Sequence, residues 1–208
     1  QAAQQSYNFI EDYEISFMIV FIVLVTLLIL YIVYENHTRN KELLKYAQTD
    51  ALTGLYNKET TEQLTDELLS EDENKYHAFL ILDVDCFKQI NDIYGHAVGD
   101  IVLQKFGKLL KGTFREGDIL GRIGGDEFGV IMKNIQTKDI AMKKAEELLA
   151  KTQAYKIDEL KGNNISISIG ISTAPQDGDC YMDLDKRADQ ALYQAKRSGK
   201  ARVCNYFS

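Results

Sequence analysis

The sequence has 208 residues, enough for one ordinary domain and an appendage. With 45% hydrophobic and 26% charged residues, its composition is that of a folded chain and excludes wholesale disorder. A net charge of -7 argues against a nucleic-acid polymer as partner, so any phosphate-binding site must be a local gathering of Lys and Arg.

The chain opens on Gln1 rather than Met and reads as a processed or truncated product, with a further domain expected upstream. Residues 1–14 carry Glu11, Asp12 and Glu14 but no Lys or Arg. Residues 15–34, ISFMIVFIVLVTLLILYIVY, are a 20-residue run without a charge. As a helix that run is about 30 Å long, enough to cross a bilayer core. A buried core helix would show an amphipathic stripe, and this run is apolar on every side. Arg39, Lys41 and Lys45 follow it, so by the positive-inside rule everything after Tyr34 faces the cytoplasm. The expected location is the inner membrane, with one pass and a cytoplasmic domain. Residues 35–49 are polar and helix-forming, a stalk that can pair with a second copy, although too short to establish a heptad pattern.

From residue 50 to residue 208 strand and helix signals alternate. Glu59–Ser70 reads as a helix and AFLILDV (Ala78–Val84) as a buried strand. Helices are predicted at Phe87–Tyr94 and, after Gly99, at Asp100–Lys111. Two short apolar runs flank the turn of RIGGDEFGVI (Arg122–Ile131), a hairpin signal. Thr137–Tyr155 has helical periodicity with Thr137 as N-cap. Asn164–Thr173 alternates strictly and is β-branched, hence a strand. Asp183–Arg197 is a helix stopped by Gly199, and Ala201–Phe207 an edge strand. The predicted class is α+β, one central sheet with helices packed on it.

Cys86, Cys180 and Cys204 form no CxxC pair, and His37, His77 and His96 are scattered. A reducing compartment is the natural reading, and a metal would be held by oxygen ligands. Asp126 and Glu127 stand side by side at the predicted hairpin tip, where two like charges repel unless something positive neutralises them. Asp83 ends its strand, where sheet proteins place ligands. If strand and hairpin are neighbours, Asp83 and Asp126 converge, and such a carboxylate set suits Mg²⁺ or Mn²⁺, ions that travel with phosphate groups. On composition alone, Asp126 and Glu127 read equally well as solvated turn residues. Asp83-Val84-Asp85-Cys86-Phe87-Lys88 runs from strand into helix, whose free amides can cradle phosphate, with Lys88 in the first turn and Asp85 as N-cap. Lys196 and Lys200 flank Gly199 as a local cationic patch, although each alone reads as an ordinary solvated lysine.

These blocks carry a resemblance. DALTGLYNK (Asp50–Lys58), DVDCFKQINDIYGHAVGD (Asp83–Asp100), RIGGDEF (Arg122–Phe128), ISIGIS (Ile167–Ser172) and ADQALYQAKRSGK (Ala188–Lys200) resemble, in order, the motifs of the GGDEF-domain diguanylate cyclase family. The membrane run and stalk lie outside it. The resemblance implies a nucleotidyl-cyclase, polymerase-palm-like fold with a mainly antiparallel sheet flanked by helices. It implies condensation of two GTP into cyclic di-GMP by a homodimer. Asp83, the Val84 carbonyl and Asp126 match the metal ligands, and Glu127 the carboxylate beside the metals and the attacking hydroxyl. Asn91 and Asp100 match the guanine-reading pair, an amide and a carboxylate facing guanine's donors and acceptor. Lys88, Lys196, Lys200, the Cys86 and Phe87 amides, and Gly124 and Gly125 match the phosphate surroundings. Arg115-Glu116-Gly117-Asp118, nine residues before the first signature glycine, matches the inhibitory site that binds cyclic di-GMP.

The departures are Lys58 where arginine is usual, Cys86 at a position often aromatic or apolar, and Lys200-Ala201 where Arg-Asn is common; lysine lacks arginine's bidentate fork. Two rival readings stay open. One is a catalytically weak module that binds GTP or cyclic di-GMP as a sensor. The other is a different nucleotidyl transferase built on a related sheet.

Overall fold

The structure, a computed structural model, describes residues 17–18, 21–36, 48–71 and 75–206. The chain divides into two units, Gln1–Ala47 and Gln48–Ser208. In the first, residues 21–36 are helical, and the apolar side chains from Phe21 to Tyr34 stand exposed. Among the described residues no helix is long and apolar enough to cross a membrane. Residues 15, 16, 19 and 20 of the apolar run, residues 1–14, and 37–47 of the stalk lie outside the described residues.

The second unit runs α1 (Lys58–Glu71), β1 (His77–Val84), α2 (Phe87–Tyr94), α3 (His96–Thr113), β2 (Ile119–Arg122), β3 (Glu127–Met132), α4 (Lys138–Ala154), β4 (Ile167–Ala174), α5 (Tyr181–Arg197) and β5 (Val203–Asn205). The five strands form one sheet in the order β2-β3-β1-β4-β5. Every pairing is antiparallel except β4 with β5, which is parallel. The α+β class with a mainly antiparallel sheet is therefore what the chain adopts.

β1 has the sequence HAFLILDV and is buried along its whole length, the pattern of a central strand covered on both faces. Alternation divides its side chains. Ala78, Leu80, Leu82 and Val84 meet Val102, Leu103, Phe106 and Leu110 of α3 and Leu148 of α4 on one face. Phe79 and Ile81 meet Leu184, Ala188 and Leu192 of α5 and Leu69 of α1 on the other. Asp83 continues the second series and so emerges beneath α5.

α5 lies unusually close to β4. A Cβ built on Gly170 would stand 2.1 Å from the Ala188 carbonyl oxygen and 2.4 Å from the Leu192 nitrogen. Only glycine lets the helix backbone settle there.

Several sequence expectations shift. α3 starts at His96 rather than Asp100, because Gly95 (φ 87°) turns the chain straight from α2 into the next helix. β4 begins at Ile167, three residues later than the β-branched run, since Asn164 instead bridges to Lys156. Thr137 does sit at the N-cap of α4 in extended conformation, but its side chain makes no capping bond. Asp85 is not the N-cap of α2. Cys86 takes that position in the left-handed region (φ 59°), and the Asp85 carboxylate is committed elsewhere.

Candidate active site

The end of β1, the β2–β3 turn and the end of α5 meet at one end of the sheet's strands. Antiparallel register sets Asp83 directly opposite Glu127, and the Val84 amide donates to the Asp126 carbonyl at 3.2 Å. The sequence expectation that Asp83 and the hairpin carboxylates are neighbours is thus met by backbone pairing. Val84 itself pairs with Ile167 on the other side. Glu127 folds back over the turn, its carboxylate 2.7 Å from where a Gly124 Cβ would stand. A side chain at 124 would therefore displace it.

Asp83 is 8% exposed. Burial pushes its carboxyl above the ordinary range, the Lys196 ammonium beside it pulls the other way, and the charges of Asp126 and Glu127 push it up further. Lys196 reaches it from the last turn of α5, Nζ to Oδ2 at 2.7 Å. Three carboxylates and one lysine thus share this partly buried end. The acids do not collapse together. Among the described residues, the acidic and thiol groups whose ligand atoms lie within 4.8 Å of one another are Asp179, Cys180 and Asp183. That trio is at the opposite end of α5. Around Asp83, Lys196 pairs with its carboxylate and the charges of Asp126 and Glu127 act on the same group, a concentration of negative charge that a divalent ion can offset. The donor set is all hard oxygen, which fits Mg²⁺ or Mn²⁺.

The loop from β1 into α2 forms the second wall. Cys86 is exposed, and Lys200 donates to its Sγ at 3.2 Å, so the ammonium stands over the first turn of α2. The first amides of that helix, Phe87 and Lys88 among them, have no intrahelical acceptor and point outward. Lys88 is exposed, and Phe87 is half-buried against the core. Lys196 and Lys200, remote from Cys86 in sequence, therefore do converge on this loop. Asn91 lies one turn further along α2, and Asp100 is exposed on α3. Asn91 Oδ1 is buried and has no hydrogen-bond partner among the described residues.

Two positioning sets escaped sequence reasoning. Asp85 accepts from Ser166 Oγ at 2.6 Å, Ser168 Oγ at 2.7 Å and the Ala201 amide at 3.2 Å. It thereby ties the phosphate-side loop to β4 and to the Lys200 turn. The second set holds the signature turn. Arg122 donates to the Gly125 carbonyl from Nη2 at 2.7 Å and from Nε at 3.1 Å, and its Nη1 lies 3.1 Å from Asp50 Oδ2. Asp50 in turn accepts from the Thr53 amide at 2.8 Å and hydroxyl at 2.7 Å. Asp85 reads from the sequence as a cap, and Asp50 only as part of DALTGLYNK with no role of its own.

Arg115 and Asp118 sit apart from this end, before β2. Asp118 is buried, and its carboxylate accepts from the Arg115 and Lys133 backbone amides, each at 3.1 Å. Asp118 thus shapes the turn without the Arg115–Asp118 side-chain ion pair that a bare RxxD suggests, and Arg115 is exposed.

The family profile described as "Diguanylate cyclase, GGDEF domain" matches residues 47–202. Diguanylate cyclase A of Treponema denticola is 37% identical over 170 residues, covering 79% of this chain and 46% of that protein. Among solved structures, the GGDEF domain of TpbB (YfiN) from Pseudomonas aeruginosa superposes with a TM-score of 0.72 at 33% identity, covering 76% of this chain and 94% of that one. The GGDEF domain of DgcB from Caulobacter crescentus, solved in complex with c-di-GMP, gives 0.71 at 27% identity, covering 78% and 94%. The chain spans about half the length, or less, of the curated relatives it matches.

Proposed function

The chain belongs to the GGDEF-domain family of diguanylate cyclases, and from that premise we propose that it condenses two GTP molecules into cyclic di-GMP, releasing two pyrophosphates. The observation that carries the reading is the β1–β3 pairing, which sets Asp83 opposite Glu127 and beside Asp126 in the ladder, with Lys196 Nζ 2.7 Å from Asp83 Oδ2 at the same strand end. Asp83, the Val84 carbonyl, Asp126 and Glu127 are the groups that would hold Mg²⁺ or Mn²⁺, which would offset phosphate charge and make the ribose 3′-hydroxyl more acidic.

The chain's own residues do the rest. Lys196 and Lys200 neutralise the triphosphate, and the first amides of α2 receive its oxygens. Asn91 and Asp100 hold the guanine edge, orienting the ribose toward the turn. Glu127 stands where the attacking hydroxyl loses its proton, and Gly124 and Gly125 let the phosphates come close to the backbone. Each domain presents one GTP, so the double attack needs two copies face to face, a symmetric homodimer. Exposed Arg115 and the turn built by Asp118 form an inhibitory site for the product. The 20-residue apolar run tethers the protein to the inner membrane with the Gln48–Ser208 unit in the cytoplasm.

The test is purified protein with GTP and Mg²⁺. Cyclic di-GMP and pyrophosphate should form; Asp126→Ala or Glu127→Ala should remove at least about 99% of the turnover. Arg115→Ala should leave initial rates intact and prevent the slowing as product accumulates. Undiminished synthesis by Asp126→Ala would reject the mechanism. Tight GTP binding with no pyrophosphate released would favour the sensor module instead.

A further inference from the structure

Gly99 lies in the first turn of α3, directly before Asp100 and across from Asn91 of α2. Its amide donates to the Gly95 carbonyl at 3.2 Å, and the Gly95 amide donates to the Asn91 carbonyl at 2.9 Å, so the corner between the two helices is locked. The Asn91 carboxamide oxygen is buried at this corner with no hydrogen-bond partner among the described residues. No hydrogen bond at that oxygen sets how the carboxamide lies; packing does. The packing depends on a missing atom. A Cβ on Gly99 would stand 1.9 Å from Asn91 Oδ1, 3.0 Å from its Cγ and 3.2 Å from the rim of the Phe87 ring.

We propose that Gly99 is the positioning residue for base recognition: its bare Cα is the seat of the Asn91 carboxamide, and any side chain there swings that group off the guanine edge. The inference rests on the proposed reading that Asn91 and Asp100 hold the guanine of GTP. What a new methyl would meet is the far end of a side chain. At Gly170 it would meet helix backbone 2.1 Å away. The cost at residue 99 therefore falls on the Asn91 rotamer and hence on specificity, while α3 gains a better helix former. Gly112, on the same helix, has nothing within 4 Å of a Cβ and is the matched control.

The experiment measures binding of 3′-deoxy-GTP and of the 3′-deoxy triphosphate of 2-aminopurine riboside, which lacks O6, to the full chain by isothermal titration, with thermal melting alongside. Neither nucleotide can react, so the readout does not depend on turnover. Gly99→Ala should melt within about 2 °C of the parent, yet bind 3′-deoxy-GTP about tenfold more weakly, with its preference over the 2-aminopurine analogue reduced. Gly112→Ala should match the parent. In an Asn91→Ser background, where the shorter side chain leaves room, Gly99→Ala should cost nothing further. Unchanged affinity and preference in Gly99→Ala would overturn the proposal, as would an equal loss in the Asn91→Ser background. Should Gly99→Ala fail to fold, the double variant decides: recovery to the Asn91→Ser level supports the seat, and continued failure refutes it. If Asn91→Ser alone binds like the parent, the guanine assignment falls and takes this inference with it. If it binds weakly while Gly99→Ala does not, this inference alone falls.

Discussion

Arg122 shows how a single side chain can hold the glycine-rich turn between β2 and β3. Its guanidinium is shared between the Gly125 carbonyl and the Asp50 carboxylate, which fixes the backbone one residue before Asp126. Burial pushes Asp50 upward, but the Thr53 hydroxyl and amide, and then Arg122, outweigh it and hold the carboxyl below the ordinary range. A carboxyl with a depressed folded-state pKa stabilises the fold above its unfolded pKa, and that contribution is lost as pH falls through the lower folded value. Asp50→Asn keeps an acceptor for Thr53 and loses the charge facing Arg122. It should melt below the parent at neutral pH and slow turnover, and the gap in melting temperature should close as pH falls through the carboxyl's lowered folded-state value. Melting both proteins across that range checks it; a gap independent of pH would mean that the pair contributes no charge interaction. The Lys200-Ala201 departure has its own local cost. Both residues sit at positive φ, 60° and 49°, and alanine tolerates that region less well than the asparagine common there.

Among the elements, α5 matters most to the site because it carries Lys196 to Asp83. Its position is set by close contact at Gly170. Gly170→Ala would force helix and sheet apart against backbone atoms, costing about 3 kcal/mol or more. Urea unfolding should show that loss, and the surviving folded protein should bind nucleotide less well because the Lys196–Asp83 pair is stretched. Stability equal to the parent would show that α5 shifts freely. Here the limits of sequence reading also become plain. Period-2 and period-3.6 patterns are local, and they placed β1, α2, α4 and α5 to within about two residues at each end. The convergence of Asp83 with Asp126 and Glu127 was legible because a strand end and a hairpin tip are both strong local signals. Asp85 was misread as a cap because its partners, Ser166, Ser168 and Ala201, are more than 80 residues away and arrive only through the pairing of β4 with β1 and with β5. Arg122 and Asp50 are 72 residues apart, and no spacing rule joins them. Gly99 was hidden for a different reason: its effect lies in an atom it lacks, and only coordinates show what that atom would meet.

At the scale of the whole molecule, the reaction proposed here is second order in protein, since one domain offers one nucleotide and the attack must be reciprocal. The Gln48–Ser208 unit in free solution should therefore lose specific activity in proportion to its concentration once it is diluted below its pairing constant. The proposed tether would alter this in a way that can be measured. Chains confined to a bilayer meet at an effective concentration set by their surface density, not by the volume of the suspension. Reconstituted into vesicles, the full chain should keep its specific activity when the suspension is diluted with buffer, and lose it when the same amount of protein is spread over about tenfold more lipid. Two dilution series with cyclic di-GMP as the readout separate the possibilities. Loss on buffer dilution would mean that the apolar run does not hold the chain in the membrane. Activity unchanged in both series would mean that the pair is already permanent, and a signal would then act by reorienting its two halves instead of gathering them.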